Sequence, residues 1–160
     1  MTSSHASRLQ RCETQLHDFL AEALRGVSPD LLTRRAIPEK WSAIENLAHL
    51  ARYHQVFLER IEQILTGPTP SFGGYRAEND PEWPRWTAMP PPLLLTTLSS
   101  LRIKLMARLR SLNEEDFSRT GIHFKLGEMT LALWLEFFLV HEGYHLNVVL
   151  GQRKIWQGES

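Results

Sequence analysis

Leu131-Ala132-Leu133-Trp134-Leu135-Glu136-Phe137-Phe138-Leu139-Val140-His141-Glu142-Gly143-Tyr144-His145 is the stretch that decides how the rest of the chain is read. A helix that is apolar on nearly every side is a buried one. Gly127-Glu128-Met129-Thr130 opens it, and the pattern runs to about Leu150 and ends near Gly151. Histidines four residues apart lie about 40° apart in helical projection and share one face. That face also carries Trp134, Phe138 and Val148, so it points into the protein. Two imidazoles on an interior face are costly to desolvate unless something satisfies them. One metal ion can satisfy both, since Zn–N bonds need about 2.0–2.1 Å. The alternative is that each is an ordinary hydrogen-bonded core histidine.

Outward from this helix, three more segments repeat the helical spacing of apolar residues. Residues 7–24 carry Leu9, Leu16, Phe19, Leu20 and Leu24, and Gly26 stops them. Ser42-x-x-Glu45 is a capping-box signature that starts a second helix, running to about Leu65 before Gly67-Pro68. Pro90-Pro91-Pro92 leads into a third, over residues 93–112. Four helical patterns, no convincing strand and no internal repeat predict an all-α fold, a four-helix bundle, as one domain over residues 1–160. A long irregular loop, residues 67–92, joins the second and third helices. It contains Phe72, Tyr75, Trp83 and Trp86, so it is expected to pack on the body, as a structural loop or as a lid.

Composition removes several function classes. Eighteen basic residues balance eighteen acidic ones, which argues against a phosphate-tracking surface and hence against nucleic acid as a partner. Cys12 stands alone, so neither a disulfide within the chain nor a cysteine-type zinc site is expected. The N-terminus is polar, and the most apolar run, residues 131–140, is about half of a membrane span. The expectation is a cytoplasmic protein with no membrane contact.

His141-Glu142-Gly143-Tyr144-His145 also matches His-Glu-x-x-His, the zinc-protease helix with its glutamate base. The rest of that architecture is missing. Fifteen residues follow His145, too few for a distant third ligand, and residues 146–152 lack the glycine and histidine of the metzincins. Glu142 also projects about 100° around the helix from the pair. A third ligand therefore comes from upstream, where the second helix offers His49 and His54. On a helical wheel His54 falls within the apolar stripe, whereas His49 falls near the opposite side beside Tyr53 and Val56.

Trp41-Ser42-Ala43-Ile44-Glu45-Asn46-Leu47-Ala48-His49-Leu50 resembles the Trp-Ser-x-x-x-x-Leu-x-His-Leu motif of the DinB/YfiT superfamily. His141-Glu142-Gly143-Tyr144-His145-Leu146 resembles its second motif, and the likeness extends over about residues 7–152. The resemblance implies a four-helix bundle, often dimeric, with one divalent metal held by His49, His141 and His145. Zinc, nickel, iron and manganese all accept imidazole ligands. Some relatives use such a metal to activate a low-molecular-weight thiol for transfer. The resemblance thus implies a metal-dependent thiol S-transferase acting on a small-molecule substrate, and a homodimer. The alternatives are a metal-dependent hydrolase of small substrates and a non-catalytic, stress-related metal-binding module. Three imidazoles leave an open coordination position, as catalytic sites do. Glu142 and Tyr144 are the candidate acid or base, and His54 is the rival to His49. Arg76, Trp83 and Trp86 are candidates to cover the pocket and bind an anionic group.

Overall fold

The computed structural model describes residues 3–158. Met1, Thr2, Glu159 and Ser160, and with them the outer limits of the single-domain expectation, lie outside the described residues. The elements in order are α1 (Ser3–Ala23), α2 (Pro29–Thr33), α3 (Ala43–Thr66), β1 (Ser71–Phe72), a 3-10 turn (Ala77–Asn79), α4 (Trp83–Thr87), α5 (Pro91–Arg110), α6 (Glu114–Ser118), β2 (Thr120–His123), β3 (Gly127–Thr130) and α7 (Leu131–Gln157). The four long helices α1, α3, α5 and α7 form the bundle. α1 packs on α5 and α7, and so does α3. α1 and α3 are therefore diagonal to one another, as are α5 and α7.

The Ser42 signal starts α3 as expected: its hydroxyl accepts from the Glu45 amide at 3.3 Å, and the Ser42 amide donates to Glu45 Oε2 at 2.7 Å. Arg35 then pairs with the outer side of Glu45 at 3.0 Å and ties the preceding connection to the helix start. Three boundaries differ from the sequence pattern. α1 begins at Ser3, before the first residue of the sequence pattern, which places Cys12 well inside the helix. α7 begins at Leu131, capped by Thr130, whose hydroxyl accepts from the Leu133 amide at 3.2 Å. It passes through Gly151 and ends at Gly158, a glycine with φ 70°, the left-handed conformation usual after a helix C-terminus.

The expectation of no strand is corrected. Residues 127–130, read as the opening of the last helix, form β3, paired antiparallel with β2 from Thr120↔Thr130 to His123↔Gly127. β1 adds in parallel through Ser71↔Ile122 and Phe72↔His123. The loop over residues 67–92 is thus partly regular, holding β1, the 3-10 turn and α4. At Gly121 a Cβ would come within 2.8 Å of Phe72 and 3.1 Å of Ile64, so only glycine lets the sheet close on α3. Arg119 completes that junction by donating to the carbonyls of Ile64 and Gly67 at the end of α3, at 2.8 and 2.9 Å.

The interior is divided. One apolar cluster, near the sheet, contains Phe57, Ile61, Leu105, Leu109, Trp134 and Phe138. The other contains Leu16, Leu47, Leu50, Leu98, Leu146 and Val149. Where they meet, α3, α5 and α7 contribute the buried polar residues His54, Arg102 and Glu142, and α1 contributes the buried Cys12. Arg102 pairs with Glu142 Oε2 and donates to the Cys12 carbonyl at 2.6 Å and to its sulfur at 2.9 Å. Gln15 donates to Glu142 Oε1 at 3.0 Å.

Removing one partner of a buried ion pair strands the other charge, which costs about 3–5 kcal/mol, whereas replacing both by apolar groups is often nearly neutral. Arg102→Met is therefore expected to lower the free energy of urea unfolding by about 3–5 kcal/mol. The double variant Arg102→Met/Glu142→Leu should recover most of that loss. Equal stability of Arg102→Met and wild type would show that the pair does not hold the bundle.

Candidate metal centre

His49 on α3 meets His141 and His145 on α7, and one ligating nitrogen from each lies within 4.8 Å of the others. The Nε2 atoms of His49 and His141 stand 2.9 Å apart. The Nδ1 of His145 donates to Asn46 Oδ1 at 2.8 Å, which leaves its Nε2 free. Asn46 is itself oriented, because its Nδ2 donates to the Ser42 carbonyl at 2.8 Å and the Trp41 carbonyl at 3.4 Å. The Trp41 carbonyl also accepts from Gln152 Nε2 at 2.5 Å, which ties the start of α3 to the far end of α7.

Aromatic rings wall the cluster. Trp41 lies 5.2 Å from His49 and 6.1 Å from His145, centroid to centroid, and 5.0 Å from Trp83. Tyr75 packs 5.6 Å from His49, and Tyr53 lies 4.4 Å from His141. Two cavities flank it. His145 lines one of about 550 Å³ with Trp41, Asn46 and Tyr144. His49 and His141 line another of about 390 Å³ with Arg60, Arg76 and His123.

Burial pushes His49 and His141 down to about 3 and His145 to about 4, with His145 adding to the effect at His49, and His49, His145 and Arg60 adding to it at His141. The three imidazoles are therefore neutral at physiological pH. At most one proton can lie between the facing Nε2 atoms, and neutral imidazole is the form that binds metals. Converging lone pairs with so few protons among them fit a divalent cation. The Asn46 hydrogen bond fixes the tautomer of His145, as partners behind metal-bound histidines commonly do.

His54 takes a different place. It is fully buried, its Nδ1 donates to the Leu50 carbonyl at 2.7 Å, and its Nε2 faces Glu142 at 3.7 Å. It belongs to the polar layer of the core and not to the cluster. The helical wheel misplaced His49 because it averages over the whole helix. The first half of α3 is covered by α4 and Tyr75 as well as by α5 and α7, so the flank carrying His49 is buried too.

Glu142 points away from the imidazoles into the core, where Arg102 and Gln15 occupy both carboxylate oxygens. The structure thus corrects the expectation that it stands near the site as an acid or base. Tyr144 is 65% exposed and stands edge-on to His145 at the rim. Of the loop residues, Trp83 covers the cluster, Arg76 lines the cavity of His49, and Trp86 is buried in the second apolar cluster. Asn46, Tyr53 and Arg60 were not singled out in the sequence. Asn46 sits at an unspecified position of the first motif, one turn before His49 on the same helix, and that spacing was the available signal.

The DinB superfamily model matches residues 13–149, and the chain belongs to this family. YuaE of Bacillus subtilis (strain 168) is 26% identical over 136 residues, covering 78% of this chain and 84% of its own. A Bacillus cereus (strain G9842) protein, provisionally named a metal-dependent hydrolase, is 25% identical over 146 residues, 91% of this chain and 83% of its own. Among solved structures, YfiT from Bacillus subtilis superposes with a TM-score of 0.78 at 21% identity, over 100% of this chain and 91% of that one. It is described as a probable metal-dependent hydrolase with an unusual four-helix bundle topology, and at that identity the likeness bears on the fold. None of the described helices is long and apolar enough to cross a membrane.

Two outcomes follow from this geometry. His49, His54, His141 and His145 all have folded pKa values below the ordinary 6.5. Their contribution to stability is fully present above about pH 6.5 and is lost as pH falls towards 3–4, because the unfolded chain then binds more protons. The metal-free protein should melt roughly 5 °C or more lower at pH 5 than at pH 7, and a flat melting temperature across that interval would contradict the assignment. Asn46→Ala should weaken metal binding by about 10–100-fold with the helical circular dichroism unchanged.

Proposed function

We propose that this protein is a divalent-metal-dependent enzyme that hydrolyses a small molecule, with His49, His141 and His145 as the metal ligands. The observation that carries the reading is the convergence of three neutral imidazoles at the meeting of two cavities. A metal bound there would leave a position open to substrate, polarise its bond and acidify water. The naming of the Bacillus cereus relative as a metal-dependent hydrolase supports hydrolysis. Zinc, nickel, iron and manganese all suit an all-imidazole donor set.

The chain's own residues do the rest. Asn46 holds His145 in one tautomer and one orientation. Trp41, Trp83, Tyr53 and Tyr75 keep water from the flanks of the ligands. Burial pushes the Tyr53 and Tyr75 phenols upward, so both stay protonated at neutral pH. Tyr144 would exchange a proton with substrate, a role that its exposed position on the lining of the larger cavity supports. Glu142 acts as the anchor of α7 in the core and not as acid or base.

The thiol S-transferase reading draws no support from the site beyond the metal cluster itself. Cys12 is fully buried against Arg102, so a thiol would have to arrive as cosubstrate. A homodimer in the cytoplasm remains part of the proposal through the family, and Leu133, Val140 and Ile155, exposed on α7, offer a face for it.

The test is metal content by mass spectrometry on protein purified without a histidine tag, followed by assays with activated esters and amides. Wild type and His54→Ala should hold about one metal per chain, while His49→Ala and His145→Ala should lose it. Turnover should disappear with the metal. Metal kept by His49→Ala and lost by His54→Ala would move the third ligand. Thiol transfer without hydrolysis in the loaded protein would replace the reaction.

A further inference from the structure

Arg60 is the second arginine buried in the bundle, and unlike Arg102 it has no carboxylate beside it among the described residues. It is 8% exposed. One guanidinium nitrogen donates to the Tyr53 hydroxyl at 3.3 Å and the other to the Gly73 carbonyl at 3.1 Å. The rings of Phe72, Trp134 and Tyr53 surround it, with centroids 5.2, 5.4 and 5.9 Å from its central carbon. A guanidinium has five N–H donors, so the neutral acceptors present use two of them. A buried charge without a counterion is costly. The Arg102–Glu142 pair shows how the same fold deals with that cost where no ligand is involved.

The side chain lines the cavity of about 390 Å³ that His49 and His141 also line. Arg76 and Lys125, both exposed, line it as well, and no carboxylate does. His123 lines it with Nδ1 occupied, since that atom accepts from the amides of Lys125 and Leu126 at 3.2 and 3.1 Å, so its ring proton lies on Nε2 as a further donor. The cavity beside His145 has no such bias, with Lys40 and Glu39 lining it together.

We infer that the cavity of His49 and His141 binds an oxyanion, a carboxylate or a phosphate of the small-molecule substrate, with Arg60 as its principal partner and Arg76 and Lys125 at its mouth. The inference rests on the proposed function only in taking the anion to be part of the molecule that reacts at the imidazoles. The planar guanidinium matches a carboxylate or phosphate through two parallel hydrogen bonds. With its body fixed by Tyr53 and Gly73, Arg60 loses little freedom when the anion arrives. The substrate is then oriented with its anionic end at Arg60 and its reacting group towards the histidines.

Isothermal titration calorimetry on the full-length protein, metal-loaded and metal-stripped, tests this with inorganic phosphate, succinate and neutral succinamide as probes. Both forms should bind phosphate or succinate and not succinamide, and the stronger of the two anions identifies the group on the substrate. Arg60→Met should weaken that binding by about tenfold or more, and Arg76→Ala/Lys125→Ala by a similar factor. Because Arg76 and Lys125 are exposed, the double variant keeps the test open should Arg60→Met fail to fold. Anion binding that survives in the metal-stripped protein supports the inference even where the histidine variants defeat the metal reading. Absent binding, equal binding of succinamide, or affinity unchanged in the variants that fold would overturn it.

Discussion

The ion pair between Arg102 and Glu142 is the constraint on which the arrangement of the four long helices depends. It lies between two apolar clusters that could otherwise slide past one another at small cost, since Leu and Ile packing is tolerant of rearrangement. Charges do not share that tolerance. Glu142 needs Arg102 from α5 and Gln15 from α1, and Arg102 needs the Cys12 carbonyl from α1. α7 is thereby held at one height and one rotation against α1 and α5. Well-packed apolar residues would give as much stability, so the polar layer is better understood as setting register than as strengthening the core.

That register places the histidines. Glu142 lies between His141 and His145 in sequence, and once its side chain is fixed inward, the pair must leave the helix on the side towards α3. A second tether works from the other end. The Trp41 carbonyl accepts from Gln152 on α7 and from Asn46, and Asn46 in turn holds His145. The capping box at Ser42 sets where α3 starts and so where Asn46 and His49 project. The first motif and the last helix are thus mechanically joined, and the tryptophan, the asparagine and the histidines act as one assembly.

The parts legible in the sequence were those whose signals are long or stereochemically strict. α7 was visible because its buried face extends around the whole helix, and the start of α3 because a capping box needs two particular residues three apart. The sheet was not legible. Strands of two to four residues are shorter than the alternation that would reveal them, and Gly121 is required by contacts with Phe72 and Ile64 that are remote in sequence. His49 was found through its motif but not through its helical wheel, because the cover on that flank comes from Tyr75 and Trp83 in a segment that carries no periodicity. Arg60 was silent for a related reason. A charged residue on a mostly apolar helix reads as solvated until the rings around it are seen.

The His-Glu-x-x-His pattern shows how the same five residues can arise from two different physical demands. In a zinc-protease helix the glutamate stands beside the metal as a base. In this protein it turns about 100° away to meet an arginine, and the glutamate is fully buried. Two histidines one turn apart are what a metal on a helix face requires, and a carboxylate immediately after the first is what the adjacent core face requires. Their adjacency reflects the narrowness of a helix whose neighbouring faces serve the site and the bundle at once. Charge beside the imidazoles then comes from the walls of the cavities that they line. The wall of the cavity that His49 and His141 line supplies Arg60, Arg76 and Lys125 and no acid, so its polarity is set by α3 and the loops and not by the glutamate of the motif.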